Sequence, residues 1–290
     1  MAGWRRVGDL EIGRIIEEER PLAAALDALP GLTPEILSAE RHWLAPAALD
    51  PEDRLILCFQ SFVVRTPHHI VLVDSCIGND KNRPGRPLWH MKSDGAFMAG
   101  LAALGLAVED IDYVMCTHLH VDHVGWNTRL LDGRWVPTFP NARYVFAADE
   151  YAYWEAENAT TKNPIFMDSV LPIVEAGRAD MVRSDYGLGD HVRLIPTPGH
   201  TPGHVSVVLG RGADDVMISG DSVHSPLQAR YPEMSIRFDV DMAAAAVTRR
   251  ALLERVCDTA TLCCMTHFPS PSVGRMTRWH DGFRCDPLPG

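Results

Sequence analysis

From Leu55 onward the apolar residues fall into short runs separated by turn-forming residues. LILCFQSFVVRT (55–66) and HHIVLVDSC (68–76) are β-rich and meet at Thr66-Pro67-His68, the pattern of an antiparallel pair. The stretch IGNDKNRPGRPLWHMK (77–92) is a Gly/Pro/Asn-rich loop. After it, Phe97, Leu101 and Leu104 recur at helical spacing, with Ser93 or Asp94 as a cap and Gly105 as a stop, which predicts a helix. IDYVMCT (111–117) reads as a buried strand, and ARYVFA, HVRLIPT, HVSVVLG, DVMISGD and TLCCMTH as short strands, each followed by a turn. Between the last two, DMAAAAVTRRALLERVCD predicts a helix capped by Asp241, with Val247, Leu252, Leu253 and Val256 as its apolar stripe. Pro21, Pro30, Pro34 and Pro46 break up residues 1–50, read as an N-terminal extension packed on a main body at 51–290. Strands in two batches with interleaved helices are compatible with two sheets covered by helices, an αββα layering, although periodicity alone does not settle it.

Composition narrows the partners. The chain has 290 residues and a formal net charge of −11, with no Lys/Arg block. That charge argues against a phosphate-backbone partner or an anionic membrane surface. No apolar run reaches the length of a membrane span, and the two early arginines are not followed by the apolar core of a secretory signal. Seven cysteines (58, 76, 116, 257, 263, 264 and 285) are an odd number, several within apolar strings where cysteine packs as a small hydrophobe; a reducing cytoplasmic setting is expected.

The chemistry concentrates in CTHLHVDHVG (116–125), where three histidines and an aspartate fall within six positions behind an apolar run. If the segment stays extended, 118, 120 and 122 share one face, His123 lies one step on, and Gly125 permits a turn. His118 and His120 then serve one metal, Asp122 and His123 a neighbour, and these donors suit zinc and similar divalent ions. Uncompensated buried imidazoles would be costly, which disfavours mere packing. Three more ligand types sit at or beyond predicted strands: His200, Asp221 and His267. Strand ends converge on clefts, so the recurrence points to one site for two ions.

These motifs resemble the metallo-β-lactamase superfamily, over roughly residues 55–285. VDSCIGNDK, THLHVDHVGWN, VPTFPNARYVF, TPGHTPGH and SGDSVH are most similar to the branch of methyl parathion hydrolase and the autoinducer lactonases. The resemblance implies a four-layer αββα sandwich and two divalent ions, Zn2+ foremost. It implies a first ion on His118, His120 and His200, a second on Asp122, His123 and His267, and Asp221 between them. It also implies a dinuclear hydrolase whose metal-bridging hydroxide attacks a lactone or related ester, with phosphotriesters as a further substrate class. Asp122 is the candidate for passing a proton to the leaving group. His224 stands where lactonases of this kind have a tyrosine. A hydrogen-bonding role at the pocket rim is expected for it, with a plain surface histidine as the alternative. Asp74 resembles the carboxylate that steadies the HxHxDH loop.

The remaining candidates read more simply. Pro202 and Gly203 prevent a helix that would set His204 beside His200, so His204 is expected in a structural hydrogen bond. Cys116 is read as packing; Trp89, Trp126 and Phe139 as either core or pocket wall. His68, His69, His90 and His280 have no partner that spacing identifies. The substrate expected is small, neutral and partly apolar, and the N-terminal segment leaves room for a homodimer contact. Within the same fold the competing function is a mononuclear iron sulfur dioxygenase or another redox member. A non-catalytic binding module is the competitor from outside enzymes, and retention of all seven ligand-type positions argues against it.

Overall fold

Val63, Leu72, Val114 and Tyr144 are completely buried and lie on four strands of one sheet, so four of the apolar runs pack side by side. In the computed structural model of the chain, residues 3–211 and 214–288 are described. The elements begin with β1 (Arg5–Val7), β2 (Leu10–Ala24), α1 (Ala25–Ala28), α2 (Pro34–Leu44), β3 (Arg54–Arg65), β4 (Ile70–Val73) and α3 (Ala96–Ala103). They continue with β5 (Tyr113–Met115), β6 (Thr128–Leu131), β7 (Arg134–Pro137), β8 (Arg143–Ala147), α4 (Ala148–Thr161), α5 (Leu171–Glu175) and β9 (Ala179–Val182). Last come β10 (Gly187–Leu188), β11 (Val192–Pro196), β12 (Val205–Leu209), β13 (Val216–Ile218), α6 (Pro226–Arg230), α7 (Met242–Val256), β14 (Leu262–Cys264), β15 (Val273–Trp279) and β16 (Gly282–Pro287). Among the described residues no helix is long and apolar enough to cross a membrane.

The chain divides into two compact units, one of residues 1–17 and 59–186, the other of 18–58 and 187–290. One seven-stranded sheet has the order β1-β2-β3-β4-β5-β8-β9. Its pair β3–β4 is antiparallel as the sequence predicts, with Phe62 opposite Val73, whereas β4, β5, β8 and β9 run parallel. Parallel strands are covered on their faces, which is why IDYVMCT has no polar alternation. Phe97 and Leu101 of α3 and Ile173 of α5 pack with Val63, Leu72, Val114 and Tyr144 in the first unit's core. Helix α3 starts one residue past the predicted cap: Gly95 is the N-cap, and Asp94 accepts from the Ala96 N–H at 2.9 Å.

The other sheet has the order β10-β11-β12-β13-β14-β15-β16, antiparallel except for β13–β14. Helix α7 is capped by the Asp241 side chain, which accepts from the Ala244 N–H as predicted. Its Leu252, Leu253 and Val256 pack on Val208, Met217, Cys263 and Met276. Val247 departs from the expected stripe: it is 72% exposed, because the buried face is carried by Ala245, Arg249, Leu252, Leu253 and Val256.

The 77–92 loop is not loosely attached. Arg83 donates through both guanidinium nitrogens to Asp168 at 2.7 Å each. Lys81, 1% exposed, donates to Thr128 Oγ1 at 2.6 Å and lies 3.6 Å over the Trp135 ring. The loop is thereby pinned to the β6–β7 hairpin and to the helical segment at 166–170.

Two outcomes follow. Leu253→Ala is expected to lower unfolding free energy by about 2–5 kcal/mol, and Val247→Ser to stay within about 0.5 kcal/mol of the parent; denaturant unfolding reads both. Burial pushes the Lys81 amine down from its ordinary 10.5 to about 7, with the neighbouring Arg83 adding to the effect against Asp168. Between those two pH values the unfolded chain holds a proton that the folded chain has lost. Stability therefore gains from this group as pH rises from about 7 towards 10.5. The Lys81→Met variant should lack that gain in unfolding curves measured across the window.

Candidate metal centre

Strand β5 ends at Met115, and the loop behind it does not stay extended. The alternating faces expected for His118, His120 and Asp122 are replaced by a turn. The His123 N–H donates to the His120 carbonyl at 3.1 Å. The His118 ring then lies closer to that of His123, at 4.1 Å, than to that of His120, at 4.6 Å. The cause is Asp74, held in a left-handed conformation (φ 60°) just past β4. Its carboxylate accepts from the Thr117 N–H at 2.7 Å, the Thr117 hydroxyl at 2.9 Å and the His123 Nδ1–H at 2.9 Å. One buried carboxylate thus curls the segment and aims His123. Gly125 completes the turn: a Cβ there would lie 1.9 Å from the Ile77 carbonyl oxygen, so only glycine fits.

The Thr117 hydroxyl gives its hydrogen to Asp74, so its oxygen accepts from the His118 Nδ1–H at 3.1 Å. His118 then presents Nε2, which stands 3.0 Å from His120 Nδ1. Asp122 Oδ2 is 3.7 Å from His123 Nε2. Glu150 accepts from the Leu119 N–H at 3.0 Å and from the Trp154 indole at 2.7 Å, and so supports the loop from α4.

In the second unit, the ligand-type residues gather around Asp221, beyond β13. His200 Nε2 lies 3.2 Å from Asp221 Oδ2, and His267 Nε2 lies 2.9 Å from Oδ1. His224 Nε2 is 3.1 Å from Oδ2, its ring stacked on that of His267 at 5.2 Å. Ligand-type atoms of Asp221, His224 and His267 all fall within 4.8 Å of one another. His224 is only 3% exposed, so the surface alternative does not hold. His204 takes a supporting position: its Nε2 accepts from the Asp221 N–H at 2.9 Å and its Nδ1 meets the Thr197 hydroxyl at 2.8 Å.

The hydrogen positions these contacts require test whether the donors suit a cation. His200 Nδ1 faces a carboxylate, Asp239 Oδ1, at 2.8 Å, and His267 Nδ1 faces the Cys58 carbonyl oxygen at 2.9 Å. Both partners are acceptors, so each Nδ1 carries the hydrogen, and in a neutral ring Nε2 has only a lone pair. Both Nε2 atoms point at Asp221, itself an acceptor. Acceptors aimed at acceptors about 3 Å apart call for positive charge between them. Burial alone would push the His200 imidazole down, yet Asp221 and Asp239 outweigh it and lift it to about 9, so in the protein by itself a proton on His200 supplies that charge at neutral pH. His224 goes the other way, to about 4, through burial, with His200 and His267 adding to it against Asp221. A divalent ion would supply that charge in the proton's place, and the Nδ1–H bonds fix the ring orientations that would present Nε2 to it. The donors around Asp221 suit a metal ion.

Several supporting residues have no sequence signal. Asp239, Glu150 and Arg249 each meet their partner across a separation with no periodicity. Trp126 and Phe139 settle as core, packed with Phe97, and Trp89 stacks edge-on to Phe59.

Known proteins resemble this chain in sequence and in fold. An N-acyl homoserine lactonase from Bacillus sp is 24% identical over 72% of this chain and 81% of its own length. N-acyl homoserine lactonase AttM from Rhizobium radiobacter is 32% identical over 38% of this chain and 40% of its own. Among solved structures, hydrolase AbOPH in the beta-lactamase superfamily superposes with a TM-score of 0.82 at 23% identity, covering 100% of this chain and 99% of that one. AidC, a dizinc quorum-quenching lactonase in complex with a product, gives a TM-score of 0.80 at 20% identity over 99% and 98%. Those superpositions bear out the fold expected from the motifs. The family profile of the metallo-beta-lactamase superfamily matches residues 60–267, most of the chain, and the chain belongs to that superfamily.

Proposed function

We propose that this chain is a dinuclear metal-dependent hydrolase of lactones or related esters. In this reading His118, His120 and His200 hold one divalent ion, Asp122, His123 and His267 a second, and Asp221 is shared. Zinc is the ion expected from imidazole and carboxylate donors. The observation that carries the reading is the pair of ring nitrogens, His200 Nε2 and His267 Nε2, that converge on one buried carboxylate. Lactonases as relatives over most of the chain support the substrate class.

When bound, such ions make a water acidic enough to be a nucleophile at neutral pH and polarise a carbonyl oxygen. The protein's own groups do the rest. Asp122, the partly exposed carboxylate of the set, accepts a proton and delivers it to the alkoxide that departs as the ring opens. His224, neutral and buried, donates from Nε2 to Asp221 and orients that carboxylate. Asp74, with Thr117, holds the first loop in its turned form throughout. The ring-opening consumes one water and releases a hydroxy acid. The 77–92 loop is clamped by Arg83–Asp168, which suits it to shape a small, partly apolar substrate space rather than to act as a mobile lid.

Two measurements test this. Elemental analysis of the purified chain should give about two zinc per polypeptide; Asp221→Ala should lose metal and hydrolysis together, and a fully metallated, active Asp221→Ala variant would refute the shared-ligand assignment. In a panel of lactones, aryl esters, a phosphotriester and a β-lactam, turnover should be highest on lactones and vanish on chelation. One iron per chain with thiol oxidation and no ring opening would replace this reading with the redox one.

A further inference from the structure

Arg249 lies on α7 and is fully buried, as is the Asp239 side chain. Its Nε donates to the Ser222 carbonyl at 2.7 Å, directly after Asp221. Nη1 donates to the carbonyls of Pro232 at 3.0 Å and Met234 at 2.8 Å, and Nη2 to Asp239 Oδ2 at 3.2 Å. Asp239 Oδ2 also accepts from the Ile236 N–H at 3.1 Å, while Oδ1 accepts from His200 Nδ1 at 2.8 Å. The segment that carries Asp239 is tied again to His200 by the Val240 N–H, which donates to the His200 carbonyl at 3.0 Å. Gln228 joins the same segment to His224: it donates to the Met234 carbonyl at 3.0 Å and accepts from the His224 N–H at 2.9 Å.

One guanidinium therefore fixes two things at once: the turn that carries Asp221 and the carboxylate that orients His200. Burying a guanidinium and a carboxylate is costly, and apolar residues of similar volume in their place are often neutral or stabilising. Fold stability alone does not call for this pair.

We propose that Arg249 and Asp239 are positioning residues for the candidate metal centre, setting its ion affinity by holding the His200 ring and the Asp221 turn in register. The inference rests on the function proposed above. Neither residue touches substrate or ion; Asp239 acts through His200, and Arg249 through Asp239 and Ser222.

The test uses the full chain, stripped of metal and titrated with zinc against a competing chelator, and with cobalt followed by its visible spectrum. Asp239→Asn, Arg249→Met and the double variant are compared, with thermal unfolding of the metal-free form as the measure of structure. Arg249→Met leaves a buried carboxylate uncompensated and should melt early; the double variant removes both charges and should recover most of that loss. Zinc affinity should stay weaker by about 10–100-fold in Asp239→Asn and in the double variant, with a changed cobalt spectrum. A double variant that melts like the parent and binds both ions like the parent overturns the proposal, even if Arg249→Met alone does not fold. A parent chain that binds neither ion overturns the functional reading and this inference with it. A parent that binds two ions alongside an unchanged Asp239→Asn overturns this inference only.

Discussion

Carboxylates buried beside imidazoles are the constraint on which the rest of this structure depends. Asp74, Asp221 and Asp239 are nearly inaccessible, and an ionised carboxylate in such surroundings is destabilising by several kcal/mol unless its oxygens are matched by donors. Asp74 meets its need with an N–H, a hydroxyl and an imidazole; Asp239 with an imidazole, an N–H and a guanidinium. Asp221 differs. Its oxygens face three imidazole nitrogens, those of His200, His224 and His267. Two carboxylates serve the architecture, and the third gathers ligand-type side chains around it.

The strands explain how such a costly arrangement is assembled. Parallel neighbours β4 and β5 end together, which sets Asp74 beside Thr117 at the start of the ligand loop. Parallel neighbours β13 and β14 end together as well, and the same register brings the Asp221 turn near His267. In each unit a helix packed on the sheet supplies a buried polar anchor: Glu150 from α4 and Arg249 from α7. The apolar sides of the sheets provide the rigidity and the strand ends provide the chemistry.

Membership of the superfamily defines a scaffold that hosts many reactions, so substrate preference lies outside the ligand set. Away from that set, the 77–92 loop is clamped, with Lys81 sealed against Trp135, and the 232–240 segment is braced by Arg249. Both are more tightly bonded than their composition suggests. The apolar residues that remain exposed nearby, Leu88 and Met91 on the first and Phe238 and Val240 on the second, are side chains on anchored backbone.

The primary sequence by itself determined the kinds of donor and their place at the ends of apolar runs. HxHxDH, the later His200, Asp221 and His267, and the 3.6-residue pattern of α7 are local features, written in consecutive residues. Tertiary structure decided what local patterns do not carry. It replaced strand alternation with a turn in the ligand loop, because Asp74, 49 residues before His123, captures that ring and the Thr117 N–H together. It turned Val247 outward and Arg249 inward on one helix, because only the facing sheet and loops define which stripe is covered. It made strands of β2, of the β6–β7 hairpin and of β15–β16, whose charged positions blur the alternation, although Asp132-Gly133 is a hairpin turn signal. Asp239 and Arg249 had no sequence signature for the same reason: a hydrogen bond between distant residues leaves no period in the chain, and only folding brings its two ends within 3.2 Å.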